Sequence, residues 1–161
     1  MMHSQPGPPP QVEVVIEIQR GSFLKRGSAG QLDFVSPLPC PFNYGSVPHY
    51  IGGEGDYLDA VVLGPRLPRG TQISTTAYGA IGLSERGMYD DKLICAPAPP
   101  GHWDCRAVLA FFHFYAFCKG RYNVLRGQSG HARCKGWDSA QAAIQRAVPV
   151  TLAAHRPRTR F

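Results

Sequence analysis

Glu54, Asp56 and Asp59 put three carboxylates within six residues, on a glycine-containing turn that runs straight into the apolar segment Ala60-Val61-Val62-Leu63. Like charges this close repel unless something positive lies between them. Hard divalent cations take oxygen ligands and hold such a cluster together. The pattern therefore points to a magnesium site, and its position beside a core strand favours catalysis over a surface calcium loop. A plain acidic surface loop is the competing reading of the same residues.

Elements must hold that cluster in place. Val12 to Ile18 is rich in β-branched residues and predicts a first strand. Short strand candidates follow near 31–35, 45–51, 59–64, 70–76, 78–83 and 92–96, separated by Pro and Gly. Even spacing of short strands favours a small barrel or sandwich. Past Pro100 the apolar residues Val108, Leu109, Phe111, Phe112 and Tyr115 recur at helical spacing, which predicts an amphipathic helix over 104–119 ended by Gly120. Trp137-Asp138 is expected to open a second helix over 139–147, with Asp138 as N-cap and Gln141 at N3, stopped by Pro149. The expected fold is α+β, mainly β: a barrel with extra short strands, closed by two C-terminal helices.

The chain has 161 residues, 43% hydrophobic and 17% charged, which suits one globular domain with a real core. The expected layout is a Pro/Gly-rich disordered lead-in over 1–11, one domain over 12–149 and a basic tail over 150–161. No apolar run reaches transmembrane length and Met1 to Gln11 has no apolar signal core, so no membrane partner is expected and cytoplasmic is the expected location. The net charge of +6 suits an anionic partner, although Arg156, Arg158 and Arg160 concentrate part of it in the tail. Five cysteines without a CxxC pair argue against a zinc site or a disulfide framework.

Seven landmarks occur in order along the chain: Val15-Ile16-Glu17-Ile18, Lys25, Asn43-Tyr44-Gly45, Glu54-Gly55-Asp56 to Asp59, Asp90-Asp91-Lys92-Leu93, Phe111-Phe112 to Tyr115, and Gly136-Trp137. Together they resemble the soluble inorganic pyrophosphatases of the magnesium-dependent, barrel-forming type, from about Val14 to Ala147. The resemblance implies a five-stranded, OB-like barrel, Mg2+ ions at one mouth, hydrolysis of pyrophosphate to two phosphates, and a homohexamer.

The resemblance also assigns roles. Asp59 matches the carboxylate that shares the activating metals and touches the attacking water, and Asp56 matches the general base or water-orienting position. Glu54 matches a metal ligand, Glu85 and Asp90 match ligands of substrate-bridging metals, and Glu17 matches a further acidic cavity residue. Lys25, Tyr44, Lys92 and Tyr115 match phosphate contacts. Each has a plainer reading: Glu17 as a solvent-facing strand residue, Lys25 as part of a basic stretch with Arg20 and Arg26, Tyr44 and Tyr115 as core tyrosines, and Asp90-Asp91-Lys92 as a simple turn.

The chain also departs from the family pattern. Glu54 and Glu85 stand where aspartates are expected, and a carboxylate misplaced by about 1 Å can cost roughly a hundredfold. Gly27 replaces a glutamate, Ser36-Pro37 an arginine, Ala116 a lysine and Cys40 a tyrosine. In the family the arginine and lysine, with the tyrosine at 115, grip the phosphate that leaves first, whereas Lys25 and Tyr44 belong mainly to the phosphate attacked. This coherent loss leaves three readings: compensation by Arg66, Lys119 or Arg121, a divergent phosphohydrolase acting on another phosphoanhydride or phosphoester, or a weak or inactive paralogue. A basic OB-like barrel binding nucleic acid is the non-enzymatic alternative. It is disfavoured because Phe111, Phe112, Phe114, Tyr115 and Phe117 sit on a helix at core spacing, with no interleaving of basic and aromatic residues on a strand.

Overall fold

The computed structural model describes residues 7–22, 24–26, 32–35, 39–53, 55–85, 88–125 and 132–152. Five strands close a ring in the order β1 (Gln11–Ile18), β4 (Asn43–Ile51), β5 (Tyr57–Val62), β8 (Lys92–Ala96) and β6 (Gln72–Glu85), with β6 returning to β1. All neighbours are antiparallel except β5 and β8, which run parallel. A hairpin of β2 (Leu24–Arg26) and β3 (Leu32–Val35) forms a separate sheet. The expected barrel is present, with extra strands and two helices, α1 (His102–Leu125) and α2 (Ala140–Arg146).

Strand alternation sorts the core onto two faces of the wall. Leu58, Ala60 and Val62 of β5 join Val12, Val14, Ile16, Leu93 and Cys95 in one cluster, which Ala140 and Ala143 of α2 cover. Val61, one position out of phase, joins Phe42, Tyr44, Ile81 and Ile94 in a second cluster beneath Val108, Phe112 and Ala116 of α1. Asp59 shares the phase of Val61. The carboxylate therefore belongs to the face that α1 covers.

Several expectations need correcting. The candidates at 70–76 and 78–83 are one strand, β6, carrying a bulge between Ala77 and Gly79. Its length lets it serve β1, β8, β7 (Met88–Tyr89) and β9 (Ala132–Asp138) in turn. Gly120 does not end α1, which continues to Leu125; a single Gly costs a helix only about 1 kcal/mol. Trp137 and Asp138 do not open a helix but close strand β9, which pairs along β6. The N-cap of α2 is Ser139, whose Oγ accepts from the Ala142 N–H at 3.1 Å. That places Gln141 at N2, one position short of the expected N3. Asp138 instead accepts from the Ser139 N–H at 2.8 Å and from Arg146 at 2.9 Å. Arg146 also donates to buried Asp91 at 2.9 Å, locking α2 onto the start of β8. Hydrogen bonding to Arg146 and to the Ser139 N–H holds the Asp138 carboxyl below its usual range.

Candidate active site

One row across the sheet organises the site. Register sets Val15 opposite Ser46, Ser46 opposite Asp59, Asp59 opposite Lys92 and Lys92 opposite Ile81. Cross-strand neighbours share a face, so Ser46, Asp59 and Lys92 project together toward the α1 side. The Lys92 ammonium donates to Asp59 Oδ2 and to Asp90 Oδ1, the latter at 2.7 Å. Lys92 is 1% exposed, which makes it one of the largest fully buried side chains among the described residues. A buried lysine needs such partners, because desolvation of an unpaired ammonium costs several kcal/mol.

The electrostatics follow. Burial alone would lower the Lys92 pKa, but the charges of Asp59 and Asp90 outweigh it and hold the ammonium well above the usual lysine range. Tyr44, two residues before Ser46 on β4, lies beneath that ammonium, 5.5 Å from ring centroid to Nζ. Burial and then the Asp59 charge push its phenol well above the usual range, with Lys92 opposing. Tyr115 of α1 acts electrostatically on both groups, and its ring packs against Phe111 and Phe112 at centroid distances of 6.4 and 6.1 Å. Near neutral pH the site therefore presents a protonated Lys92 amine and a neutral Tyr44 phenol.

Local sequence explains how these groups are held. An added Cβ at Gly45 would meet the Val15 carbonyl oxygen at 2.1 Å, so only glycine lets β1 and β4 approach this closely beside Tyr44. On β1 the pairing steps from Ile16–Gly45 to Ile18–Tyr44, which makes Glu17 the extra residue of a bulge. Such bulges re-aim side chains, and Glu17 is half-buried there rather than alternating simply into solvent. On the turn before β5 the Gly52 N–H bonds the Asp56 carbonyl at 2.8 Å. A Cβ at Gly53 would meet the Tyr89 carbonyl oxygen at 2.5 Å, so this glycine seats the turn against the strand that leads into Asp90. Asp56 is exposed on that turn.

The row unites Asp59, Asp90, Lys92 and Tyr44, with Tyr115 above them. Glu54 lies outside the described residues, as do the side chains of Lys25 on β2 and Glu85 at the end of β6. Among the described residues no three Asp, Glu, His or Cys side chains gather closely enough to hold a metal. The donor chemistry nevertheless fits a hard cation. Asp59 and Asp90 already converge on one positive charge, and magnesium is commonly bound through one or two carboxylates plus water and phosphate oxygens.

Two further residues, one of them within a landmark, carry no role assigned from the sequence. Asn43 is fully buried; its Oδ1 accepts from the Arg20 and Leu67 N–H groups at 3.1 and 2.9 Å, and its Nδ2 donates to the Val62 and Pro65 carbonyls at 3.3 and 2.8 Å. It fastens three chain segments beneath Tyr44. The Ser46 hydroxyl is buried next to Asp59 with no hydrogen-bond partner among the described residues, an orphaned polar atom suited to water or a ligand oxygen. Both lie within one or two residues of Tyr44, where only the Asn-Tyr-Gly landmark marks the segment.

The opposite flank is apolar. Ala116 is buried, and Cys40 packs against the same cluster with Phe42, Phe111 and Phe112. Cys40 Sγ donates to the Phe42 carbonyl at 3.0 Å, and burial pushes its thiol up. Of the candidate compensating cations, Arg66 donates to Gln19 at 2.7 Å and Arg121 lies over the Phe117 ring at 5.4 Å, while the Lys119 side chain and Ser36-Pro37 lie outside the described residues.

The inorganic pyrophosphatase family profile matches residues 14–148. The inorganic pyrophosphatase of Brucella melitensis is 32% identical over 101 residues, covering 57% of this chain and 57% of that protein. The match thus spans somewhat over half the length of that relative. The Xanthomonas campestris inorganic pyrophosphatase is 28% identical over 151 residues, covering 79% of this chain and 85% of that protein. The Helicobacter pylori inorganic pyrophosphatase structure superposes with a TM-score of 0.68 at 23% identity, covering 84% of this chain and 88% of that one. The Thermus thermophilus inorganic pyrophosphatase gives a TM-score of 0.66 at 22% identity, covering 84% and 86%. With the family profile spanning the barrel, its site row and both helices, this chain belongs to the inorganic pyrophosphatase family.

Proposed function

We propose that the chain hydrolyses inorganic pyrophosphate to two phosphates, using water activated by Mg2+. The observation that carries this reading is the buried Lys92 ammonium held between Asp59 and Asp90 on the barrel face that α1 covers. Asp59 and Asp90 are two carboxylates on one described ammonium, oxygen donors of the kind that hold a divalent cation, and Glu17 joins the proposed ligands by family resemblance. Glu54 and Glu85 complete the proposed ligand set by family resemblance. When bound, magnesium supplies charge neutralisation and a water of lowered pKa.

The chain's own residues do the rest. Lys92 fixes the two carboxylates and offers its remaining N–H to a phosphate oxygen. Tyr44, kept neutral, donates its hydroxyl proton as a hydrogen bond to the phosphate under attack, and Tyr115 does so from α1. Lys25 adds a second cation on that side. Asp56, exposed at the turn, accepts the proton that the attacking water loses. We place the working domain at 12–149, with 1–11 and 150–161 as flanking segments, and the protein in the cytoplasm as a homohexamer. Among the described residues no helix is long and apolar enough to cross a membrane.

Phosphate release from pyrophosphate by the purified chain, with magnesium and with the metal chelated, tests this reading. Turnover only with magnesium is expected. Equal rates under both conditions, or none in folded protein, would contradict it.

A second reading draws on the apolar flank. Ala116 and Cys40 stand where the resemblance expects a lysine and a tyrosine, and both join an apolar cluster. A leaving group bearing an organic substituent suits that wall better than a free phosphate dianion. Faster turnover of an aryl pyrophosphate than of pyrophosphate itself would select this alternative.

A further inference from the structure

The segment that carries Asp90 and Lys92 has two sides, and the site uses one. Asp90 and Lys92 meet in the buried ion pair. Alternation turns Tyr89 and Asp91 the other way, and both end on one guanidinium. Asp91 Oδ2 accepts from Arg146 Nε at 2.9 Å, and the Tyr89 ring centroid lies 5.7 Å from Arg146 Cζ. Residues 90 and 92 thus serve the site, while 89 and 91 hold the last residue of α2.

Packing alone does not fix that rear side. Strand β7 is two residues long, and its Met88 and Tyr89 are 43% and 50% exposed. A cavity of about 270 Å³, whose lining includes Tyr89, Asp91, Lys135 and Arg146, opens beside it. Lys135 also reaches the Tyr89 ring, at 4.7 Å, but Arg146 is the residue that touches both 89 and 91. Arg146 is itself held. Its second nitrogen donates to Asp138, whose carboxylate also takes the Ser139 N–H at the start of α2. A planar guanidinium bonded in two directions has its orientation set.

We propose that Arg146 is a positioning residue for the site: gripping residues 89 and 91 from the rear, it sets the direction of the Asp90 carboxylate and, through the shared Lys92 ammonium, that of Asp59. Groups that orient a metal-binding carboxylate typically carry about 10–100-fold in metal affinity or activity. This role rests on the hydrolytic reading for what Asp90 does in the site, while the ordering of residues 89–92 stands apart from it.

Amide hydrogen exchange of the metal-free full chain tests it, beside calorimetric magnesium binding and phosphate release. Arg146→Met is expected to speed exchange over 89–92 while β4 and β5 keep theirs. It should also weaken magnesium binding and lower kcat, each by roughly tenfold or more. This variant strands the buried Asp91 charge, which Asp91→Asn/Arg146→Met removes. The double variant is therefore expected to regain thermal stability yet keep the fast exchange, weak magnesium binding and low kcat. Asp138→Asn cuts only the other arm of Arg146 and should keep the wild-type kcat. Recovery of all three properties together with stability in the double variant would make the pair a structural tie and overturn the proposal. Unchanged exchange in Arg146→Met would overturn it as well. Exchange is read without metal or substrate, so a wild type that hydrolyses nothing would fail the hydrolytic reading and leave exchange to decide whether Arg146 orders the segment.

Discussion

The two flanks of the site differ in how they treat charge. On one, Lys92, Asp59 and Asp90 are drawn into the wall and satisfy one another, with Tyr44 beneath them. On the other, Cys40, Phe42, Phe111, Phe112 and Ala116 form an ordinary apolar packing layer. Tyr115 and Ala116 are consecutive residues of α1, so a single helix serves both. The charged flank is built from register, which couples β4, β5 and β8 through one row of residues. The apolar flank depends on single side chains and can change without disturbing the barrel. The flank proposed to position water is therefore tied to the fold, whereas the flank proposed to receive the leaving group is free to diverge.

The strongest way to break this contrast is to remove the central cation. Lys92→Met should remove the ammonium that Asp59 and Asp90 share, lowering stability by about 3–5 kcal/mol and kcat/KM by roughly 10²–10³-fold. Urea denaturation with the metal chelated, alongside phosphate release, measures both; an undisturbed variant would mean that the row does not hold the site. Asn43→Ala should reach the site only through its scaffold. It strands backbone donors and acceptors in two segments, at Arg20 and over Val62 to Leu67, costing about 2–3 kcal/mol, while the folded fraction keeps kcat within a few-fold.

Alkaline pH probes the same flank more gently. Folding raises the Lys92 and Tyr44 pKa values above their unfolded values. Both groups hold their protons more tightly when native, so their stabilisation is intact below about pH 10 and is lost as pH rises further. A chemical-denaturation series from pH 8 to 11.5 should fall only beyond about pH 10, and Lys92→Met should flatten that fall. The smallest effect is expected on the apolar flank. Ala116→Lys should raise kcat/KM for pyrophosphate by roughly three- to tenfold through one added charge-assisted contact, with some stability lost to overpacking. No gain would show that other groups hold the leaving phosphate or that it is not the natural leaving group.

Much of this was legible in the sequence because periodicity and landmark order report local chemistry. The barrel, β1, β5, β8 and the core side of α1 follow from alternation, from β-branched runs and from Val108 and Phe112. Asp59, Asp90, Lys92 and Tyr44 came from the ordered motifs. What escaped depended on long-range pairing. Strand β9 is Ala-Arg-Cys-Lys-Gly-Trp-Asp, with no apolar alternation, and exists because β6 extends far enough to pair with it. Asp138 and Ser139 are both good N-caps, and only the pairing of Asp138 within β9 together with its bond from Arg146 leaves the cap to Ser139. Adjacent Asp90 and Asp91 read as one acidic turn, yet the strand sends the first to Lys92 and the second to Arg146.

The most direct test of the central claim is phosphate release from pyrophosphate at saturating magnesium by Asp59→Asn beside the wild type, with thermal unfolding as the fold check. The variant is expected to lose at least about a thousandfold in kcat while unfolding as a native domain. A folded variant that still hydrolyses pyrophosphate at the wild-type rate would contradict the assignment of this row as the active site.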